Sequence, residues 1–323
     1  MKPAYRVLAN SIDITAKIAD RAGSIEITDR AGVKSDQCTI SIDDRDELLE
    51  IPKRGARLEI FTGYVGGQMV RRGAFFVDEV EIDGPLRTMT IRANAVNMNG
   101  GIKGPKERSF DDITFGDLVN TIAGDNDLTP SIPEGLASRQ LGHIDQTESD
   151  MQLLSRICAD NGATFKVADG RLVIAAHASG KTASGKSMPA VVLQAKDCES
   201  WNATIAERGK YKSVTAYWHN LETGEREEVK VGDGDPSITL KNTYQDENTA
   251  KLAADSKLNA LTRGTGTVTI SGYIGDPTLM AECHAVLVGF RKGIDGERWV
   301  INSVTHSISE SGYTNSIELE EKI

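Results

Sequence analysis

From Tyr5 to about Ala95 the chain alternates apolar and polar positions in block after block. The apolar members are Ile12/Ile14/Ala16/Ile18, Ile25/Ile27, Cys38/Ile40/Ile42, Leu58/Ile60, Val80/Ile82 and Met89/Ile91/Ala93/Ala95. A period of two puts every second side chain on one face of a strand, so each block predicts a half-buried strand. Turn-forming residues separate the blocks at 21–23, 29–32, Thr62-Gly63 and Asp83-Gly84-Pro85. Short strands at this rhythm predict a small β-barrel or sandwich.

The period changes after the Gly/Pro-rich stretch 99–105, which reads as a domain boundary. Phe115, Leu118, Val119, Ile122 and Ala123 recur at helical spacing. Thr114 and Asp117 cap the start of this predicted helix and Gly124 closes it. Pro130 and Pro133 break the chain before Gly142–Val167, where strand, helix and strand follow one another. Thr147 reads as the N-cap of that helix with Asp150 as its acidic partner. Met151, Leu154 and Cys158, with Leu153 and Ile157 beside them, form its apolar face, and Asn161-Gly162 a left-handed C-cap. Asp169-Gly170 then turns Ala163–Val167 back into Leu172–Ala176 as a hairpin. The middle region is expected to be two helices on a small sheet.

Residues 178–190 are small and polar, a linker by composition. Strands resume at Val191, with a hairpin of Val214/Ala216/Trp218 and Val229/Val231 around Thr223-Gly224. A helix is expected over 245–263, ended by Gly264, and further strands at Val268/Ile270, Val286/Val288, Trp299/Ile301, Val304/His306/Ile308 and Ile317/Leu319. The chain therefore reads as α+β, mostly β. It divides into a β-barrel at 1–97, an αβ domain at 98–177, the linker, and a second β-barrel at 191–323 with one inserted helix.

Composition narrows the function. The net charge of −10 and an aromatic content of 5% argue against specific nucleic-acid binding and against attraction to anionic membranes. No apolar run at the N-terminus suggests a signal peptide, and no stretch is long enough for a membrane span. Cys38, Cys158, Cys198 and Cys283 are scattered, without metal-ligand spacing, and read as reduced thiols. The remaining histidines lie outside any zinc motif, so neither a metal nor another cofactor is expected.

Two stretches imitate chemistry. Gly180–Ser187, GKTASGKS, matches the phosphate-binding pattern GxxxxGK[ST]. That loop must leave a parallel strand and open a helix. Here it follows the second arm of a hairpin and precedes Met188-Pro189, where proline would interrupt the helix. The flexible linker is the better reading. His143, Asp145 and Ser149 invite a hydrolase reading, since residues two apart on a strand share a face. Ser149 falls at a helix start without a nucleophile elbow, so capping is favoured.

A family resemblance runs through the chain. Gln146-Thr147-Glu148-Ser149-Asp150, the Leu-Leu-Ser-Arg helix and Asn161-Gly162-Ala163 resemble the central signature of the late-control D proteins. Arg108-Ser109-Phe110 and the residues to Leu118 fit the same family, as do Trp299–Ile308 with His306 and the following Gly312-Tyr313. These are baseplate hub proteins of contractile-tailed temperate phages and prophages, related to the hub part of type VI secretion spikes.

The resemblance implies two tube-like β-barrel domains flanking a small αβ domain, in a non-enzymatic homotrimer. The trimer would adapt a hexameric tail tube to a trimeric spike and line the channel between them. Its partners would be the tube or a tube-initiator protein, the spike and other baseplate proteins. It implies a virion component assembled in the host cytoplasm, without membrane insertion. Arg108, Ser109, Phe110, Gln146, Ser149, Asp150, Gly162, His306 and Gly312 are expected as structural positions. Because the chain stops at Ile323 after a last strand, a separate spike partner is expected rather than a continuous type VI spike. A nucleotide hydrolase, a wall hydrolase and a DNA-binding regulator are the alternatives of other classes; acidic charge and the lack of a helix-turn-helix argue against the last.

The linker reading is testable by calorimetry. Titration with ATP and Mg²⁺ should show no binding, whereas saturable binding lost in Lys186→Ala would make Gly180–Ser187 a nucleotide site.

Overall fold

The structure, a computed structural model, describes residues 1–21, 23–32, 35–95, 101–176, 188, 190–205, 211–262, 266–296 and 298–321. Its largest feature is one thirteen-stranded sheet that takes strands from both ends of the chain. The N-terminal half runs across the sheet as Ile12–Asp13, Pro3–Ala9, Arg57–Tyr64, Val70–Asp83, Thr88–Asn94, Gln37–Asp43 and Ser24–Arg30. Ser24–Arg30 then pairs antiparallel with Arg298–Ser309, followed by Gly312–Glu321, Gly266–Ile274 and Ser200–Ile205. His284–Val288 branches from Arg298–Ser309 and carries Val191–Gln194 in parallel.

The period-two blocks explain the N-terminal core. Ile25, Ile27, Cys38, Ile40, Leu58, Ile60, Met89 and Ala93 are buried on one face. The first block behaves differently. Only Ile12–Asp13 is extended, and Thr15–Ala19 turns into a short helix that buries Ile18. The cause is local: Asp13 Oδ1 accepts the Thr15 amide at 2.9 Å, a turn-forming bond that a strand ladder does not use. Ile82 also departs from expectation, standing exposed near the end of its long strand.

The expected two barrels merge here into one strand path, which does not close on itself among the described residues. In the C-terminal half the apolar phase slips between Ile301 and Val304. A β-bulge between Ile301 and Ser303 absorbs the extra residue, so Ile301, Val304 and His306 are all buried within one strand.

The middle region has its own core of Phe115, Leu118, Ile122, Leu153, Leu154, Phe165 and Ile174. Helix Phe115–Asp125 starts at the Thr114/Asp117 capping box and runs one residue past Gly124. Helix Asp150–Asp160 begins two residues later than Thr147 suggested, because Ser149 is the cap. Ser149 Oγ accepts the Gln152 amide at 3.3 Å while Gln152 Oε1 accepts the Ser149 amide at 3.2 Å. Asp150 is the first helical residue, not a capping partner. Gly162 closes the helix with φ of 62°, and Asp169 and Gly170, at 52° and 70°, make the hairpin turn. Pro130 lies in Thr129–Ser131, a short strand that pairs in parallel with Arg171–Ala176.

The helix expected at 245–263 spans Glu247–Thr262, and it does not leave the C-terminal half alone. Ser213–His219, Arg226–Gly232 and Ser237–Tyr244 form a separate three-stranded sheet beneath it. Ala250 and Ala254 lie against Val214 and Ala216, small residues that let helix and sheet approach closely. The insert is thus a strand–helix unit with its own core, and Gly264 lies outside the described residues.

Burial fixes an order of energies for the Asp150–Asp160 helix. Leu154 is fully buried, so Leu154→Ala should cost about 2–5 kcal/mol in urea unfolding. Ser149→Ala, which removes a cap, should cost about 0.5–2 kcal/mol. Equal losses for the two would contradict a capping role for Ser149.

Candidate functional site

Four of the motif residues converge at the start of the Asp150–Asp160 helix. Arg108 lies on strand Arg108–Thr114 and Gln146 on the neighbouring strand Gln140–Gln146. Asp150 Oδ1 accepts from Arg108 Nη2 and Gln146 Nε2, both at 2.9 Å. Its other oxygen accepts from Lys106 Nζ at 2.7 Å and Asn126 Nδ2 at 2.9 Å. Arg108 Nε donates to Gln146 Oε1 at 2.8 Å, and Asp125 bridges Lys106 and Arg108 at 3.1 and 2.5 Å. The Arg108 guanidinium sits over the Phe110 ring at 4.9 Å, and Ser109 pairs with Asp145 in the ladder.

Asp150 is fully buried. Burial alone would push its carboxyl up, but hydrogen bonds from Gln146, Lys106 and Asn126 outweigh that and hold it below the usual range. The helix N-terminus also favours a negative charge there. Two cations face two carboxylates, and the donors that line the carboxylate are engaged. This is a structural knot tying two strands to two helix ends.

His306 belongs to a second buried cluster, where the two halves of the large sheet meet. Its Nε2 faces Arg72 Nη1 at 2.9 Å, and its Nδ1 lies 2.7 Å from the Tyr313 hydroxyl and 2.8 Å from Asn315 Nδ2. Arg72 also donates to Thr62 Oγ1 at 2.9 Å, to the Leu279 carbonyl at 3.3 Å and to the Pro277 carbonyl. Burial and then the Arg72 charge press His306 down to about 3, so the ring stays neutral. Gly312, with φ of 145°, closes the hairpin that carries Tyr313 and Asn315. Gly162 has a second role besides its φ. A Cβ there would lie 3.1 Å from Ser256 Oγ, so the insert packs directly on that turn.

The hydrolase arrangement does not form. His143 is exposed and held between two carboxylates, Asp111 Oδ1 at 2.6 Å and Asp145 Oδ1 at 3.2 Å. Ser149 is committed to Gln152. Gly180–Ser187 lies outside the described residues. Among the described residues no group of three or more His, Cys, Asp or Glu is placed to hold a metal ion. Two clefts of about 800 and 1000 Å³ flank the contact between the Asp150–Asp160 helix and the insert. Tyr244 donates to Asp160 across that contact at 3.4 Å.

Of the residues that complete these clusters, Lys106, Asn126, Asp125, Arg72 and Asn315 were not singled out by sequence, whereas Tyr313 stood beside Gly312 in the family motif. Each is a polar side chain whose partner lies far away along the chain. The one local signal is a charged residue interrupting an apolar strand.

This fold is that of phage tail proteins. The Neisseria meningitidis tail protein superposes with a TM-score of 0.74 at 15% identity, covering 100% of this chain and 97% of that one. An Escherichia coli component of the type VI secretion system superposes with a TM-score of 0.57 at 11% identity, over 100% of this chain and 75% of that one. The model of the family described as "Phage tail baseplate hub (GPD)" matches residues 13–312. A probable baseplate hub protein of Escherichia phage 186 is 33% identical over 365 aligned positions, covering 100% of this chain and 94% of the relative. The chain belongs to the phage tail baseplate hub family.

Neutral His306 makes stability depend on pH. Its folded value near 3 lies below the ordinary 6.5, so the unfolded chain binds the proton more tightly. That contribution is fully present above 6.5 and is lost as pH falls towards 3. Between pH 7 and 5 the wild type should lose about 2 kcal/mol of unfolding free energy relative to the change seen in His306→Gln. Parallel pH profiles for the two proteins would exclude a buried neutral imidazole.

Proposed function

We propose that three copies of this chain form the adapter between a sixfold tail tube and a threefold spike, lining the channel between them. The observation that carries this reading is the joining of two β-rich halves into one sheet through Ser24–Arg30 and Arg298–Ser309, within a baseplate hub family member. Three chains with two β halves each offer six β units around an axis, which matches a ring of six tube subunits above and three spike chains below.

In this reading 1–97 and 191–323 are the two tube-like barrel domains, 98–177 the αβ domain and 178–190 the linker between them. Ring closure would cover strand edges that otherwise invite aggregation. Partners are the tube or a tube-initiator protein on one side and the spike on the other, with further baseplate proteins outside. Assembly takes place in the host cytoplasm before the tail joins the virion. The role is mechanical and non-enzymatic. The motif residues Arg108, Ser109, Phe110, Gln146, Ser149, Asp150, Gly162, His306 and Gly312 are structural, as their knots and turns support. A net charge of −10 per chain suits a channel along which DNA slides without specific binding. Likeness to the type VI component favours a related injection machine as the second reading.

Light scattering on the purified chain should give a particle of three times 34.9 kDa, and a heavier one once its tail neighbours are added. Electron microscopy of that particle should relate the two β halves by about sixty degrees around the threefold axis. A stable monomer that joins neither tube nor spike protein would refute the adapter.

A further inference from the structure

Lys166 interrupts the apolar run of strand Ala163–Ala168 and leaves the middle region altogether. Its ammonium lies 2.6 Å from Asp29 Oδ1, 2.8 Å from Asp36 Oδ1 and 3.1 Å from the Arg30 carbonyl. Asp29 sits on Ser24–Arg30, the strand that joins the two halves of the large sheet. Its second oxygen accepts the Ala281 amide, from the C-terminal half, at 3.0 Å. Asp36 Oδ1 also accepts the Arg30 amide at 3.0 Å. Three parts of the chain therefore meet on one ammonium.

We propose that Lys166, Asp29 and Asp36 form a proton-linked latch that holds the middle region on the large sheet and grips more tightly in mild acid. The charges explain the direction. Facing the cluster are Asp29 and Arg30 from one strand, Asp36 before the next and Lys166 from the middle region; Cys283 lies near Asp29, with Glu282 next to it in the chain. His306 and Arg72 lie beyond Asp29. The Arg30 guanidinium is turned away to Gln37 Oε1 at 2.8 Å. One ammonium thus faces two carboxylates, leaving one negative charge unbalanced in a desolvated site.

Burial pushes Asp36 up to about 6, while Lys166 outweighs the burial of Asp29 and keeps that carboxyl below its usual range. When the strand of Lys166 lifts and water enters, Asp36 returns towards its ordinary value of 3.8. The closed latch therefore binds a proton that the open one releases. Closure strengthens as pH falls through 6, by about tenfold from pH 8 to pH 5.

A second anchor supplies an internal control. Arg71 Nη1 and Nη2 meet Asp169 Oδ2 and Oδ1 at 2.5 and 2.9 Å, at the hairpin turn of the middle region. The hydrogen bond from Arg71 holds Asp169 below the usual range, so this anchor does not change between pH 5 and 8.

Hydrogen exchange of the amides from Phe165 to Val173 in the full chain reads the latch directly, after correction for intrinsic exchange rates. Asp36→Asn mimics the protonated carboxyl, so its amides should be more protected than wild type at pH 8, and that excess should shrink about tenfold by pH 5. Lys166→Met should lose protection most at pH 8 and least at pH 5. A wild-type to Asp36→Asn ratio that does not vary with pH, or a variant less protected at pH 8, would overturn the proposal. So would a Lys166→Met loss that is independent of pH. Should Lys166→Met fail to fold, the Asp36→Asn comparison still decides.

Discussion

The ladder between Ser24–Arg30 and Ser303–Ile308 makes neighbours of the two ends of the chain, and the rest of the structure depends on it. Thr28 and Thr305, 277 positions apart, lie 3.1 Å from one another across it. Closing so long a loop costs little more entropy than a short one, since the cost grows only with the logarithm of length. Pairings this distant in sequence raise the contact order, which goes with slower folding. What fixes the register is the side-chain pattern. Ile25, Ile27, Val304, His306 and Ile308 are all buried, and a slip of one residue would expose the set.

That ladder is backed by Arg72, whose guanidinium reaches His306 and the carbonyls of Pro277 and Leu279. Replacing such a cluster with packed apolar groups could leave stability unchanged, but removing one partner would strand the others. Its value is specificity. Arg71 and Arg72 are adjacent on one strand at a β-bulge, where Arg72 is the extra residue between the pairs Phe61–Arg71 and Ile60–Gly73. Arg71 meets Asp169 of the middle region, and Arg72 enters the junction between sheet halves. Two consecutive residues thus set the positions of two other parts of the molecule relative to the N-terminal strands.

Legibility in the sequence followed the range of each interaction. The hairpin at Asp169-Gly170 and the helix from Phe115 were readable because caps, turns and periodicity are local. The other helix start was misplaced because two capping patterns overlap, Thr147 with Asp150 and Ser149 with Gln152. Which one wins is decided by Lys106, Arg108 and Asn126 drawing Asp150 into the core, a long-range event. The site was half legible for the same reason. Arg108, Gln146, Asp150 and His306 came from family resemblance, whereas Asp29 read as part of a turn and nothing local marked Arg72 or Lys166. Nor could periodicity tell that Ser213–Tyr244 would pair as a separate sheet, since alternation marks a strand without naming its neighbour.

The buried charges have a consequence for the outside of the molecule. The knot at Asp150 sets two cations against two carboxylates, and the latch sets one ammonium against two. The junction adds one guanidinium without a carboxylate partner of its own. Together these clusters cancel, so they absorb none of the net −10. The excess negative charge is carried by the remaining, mostly solvent-facing side chains. Identical chains that assemble must bring such surfaces together, and like charges meeting at a contact oppose association. Contacts between copies would be favoured on neutral, apolar or charge-complementary faces, with the acidic excess left to solvent. Part of the surface charge still holds the fold together, as the half-exposed Arg71–Asp169 pair does; the remainder favours solubility.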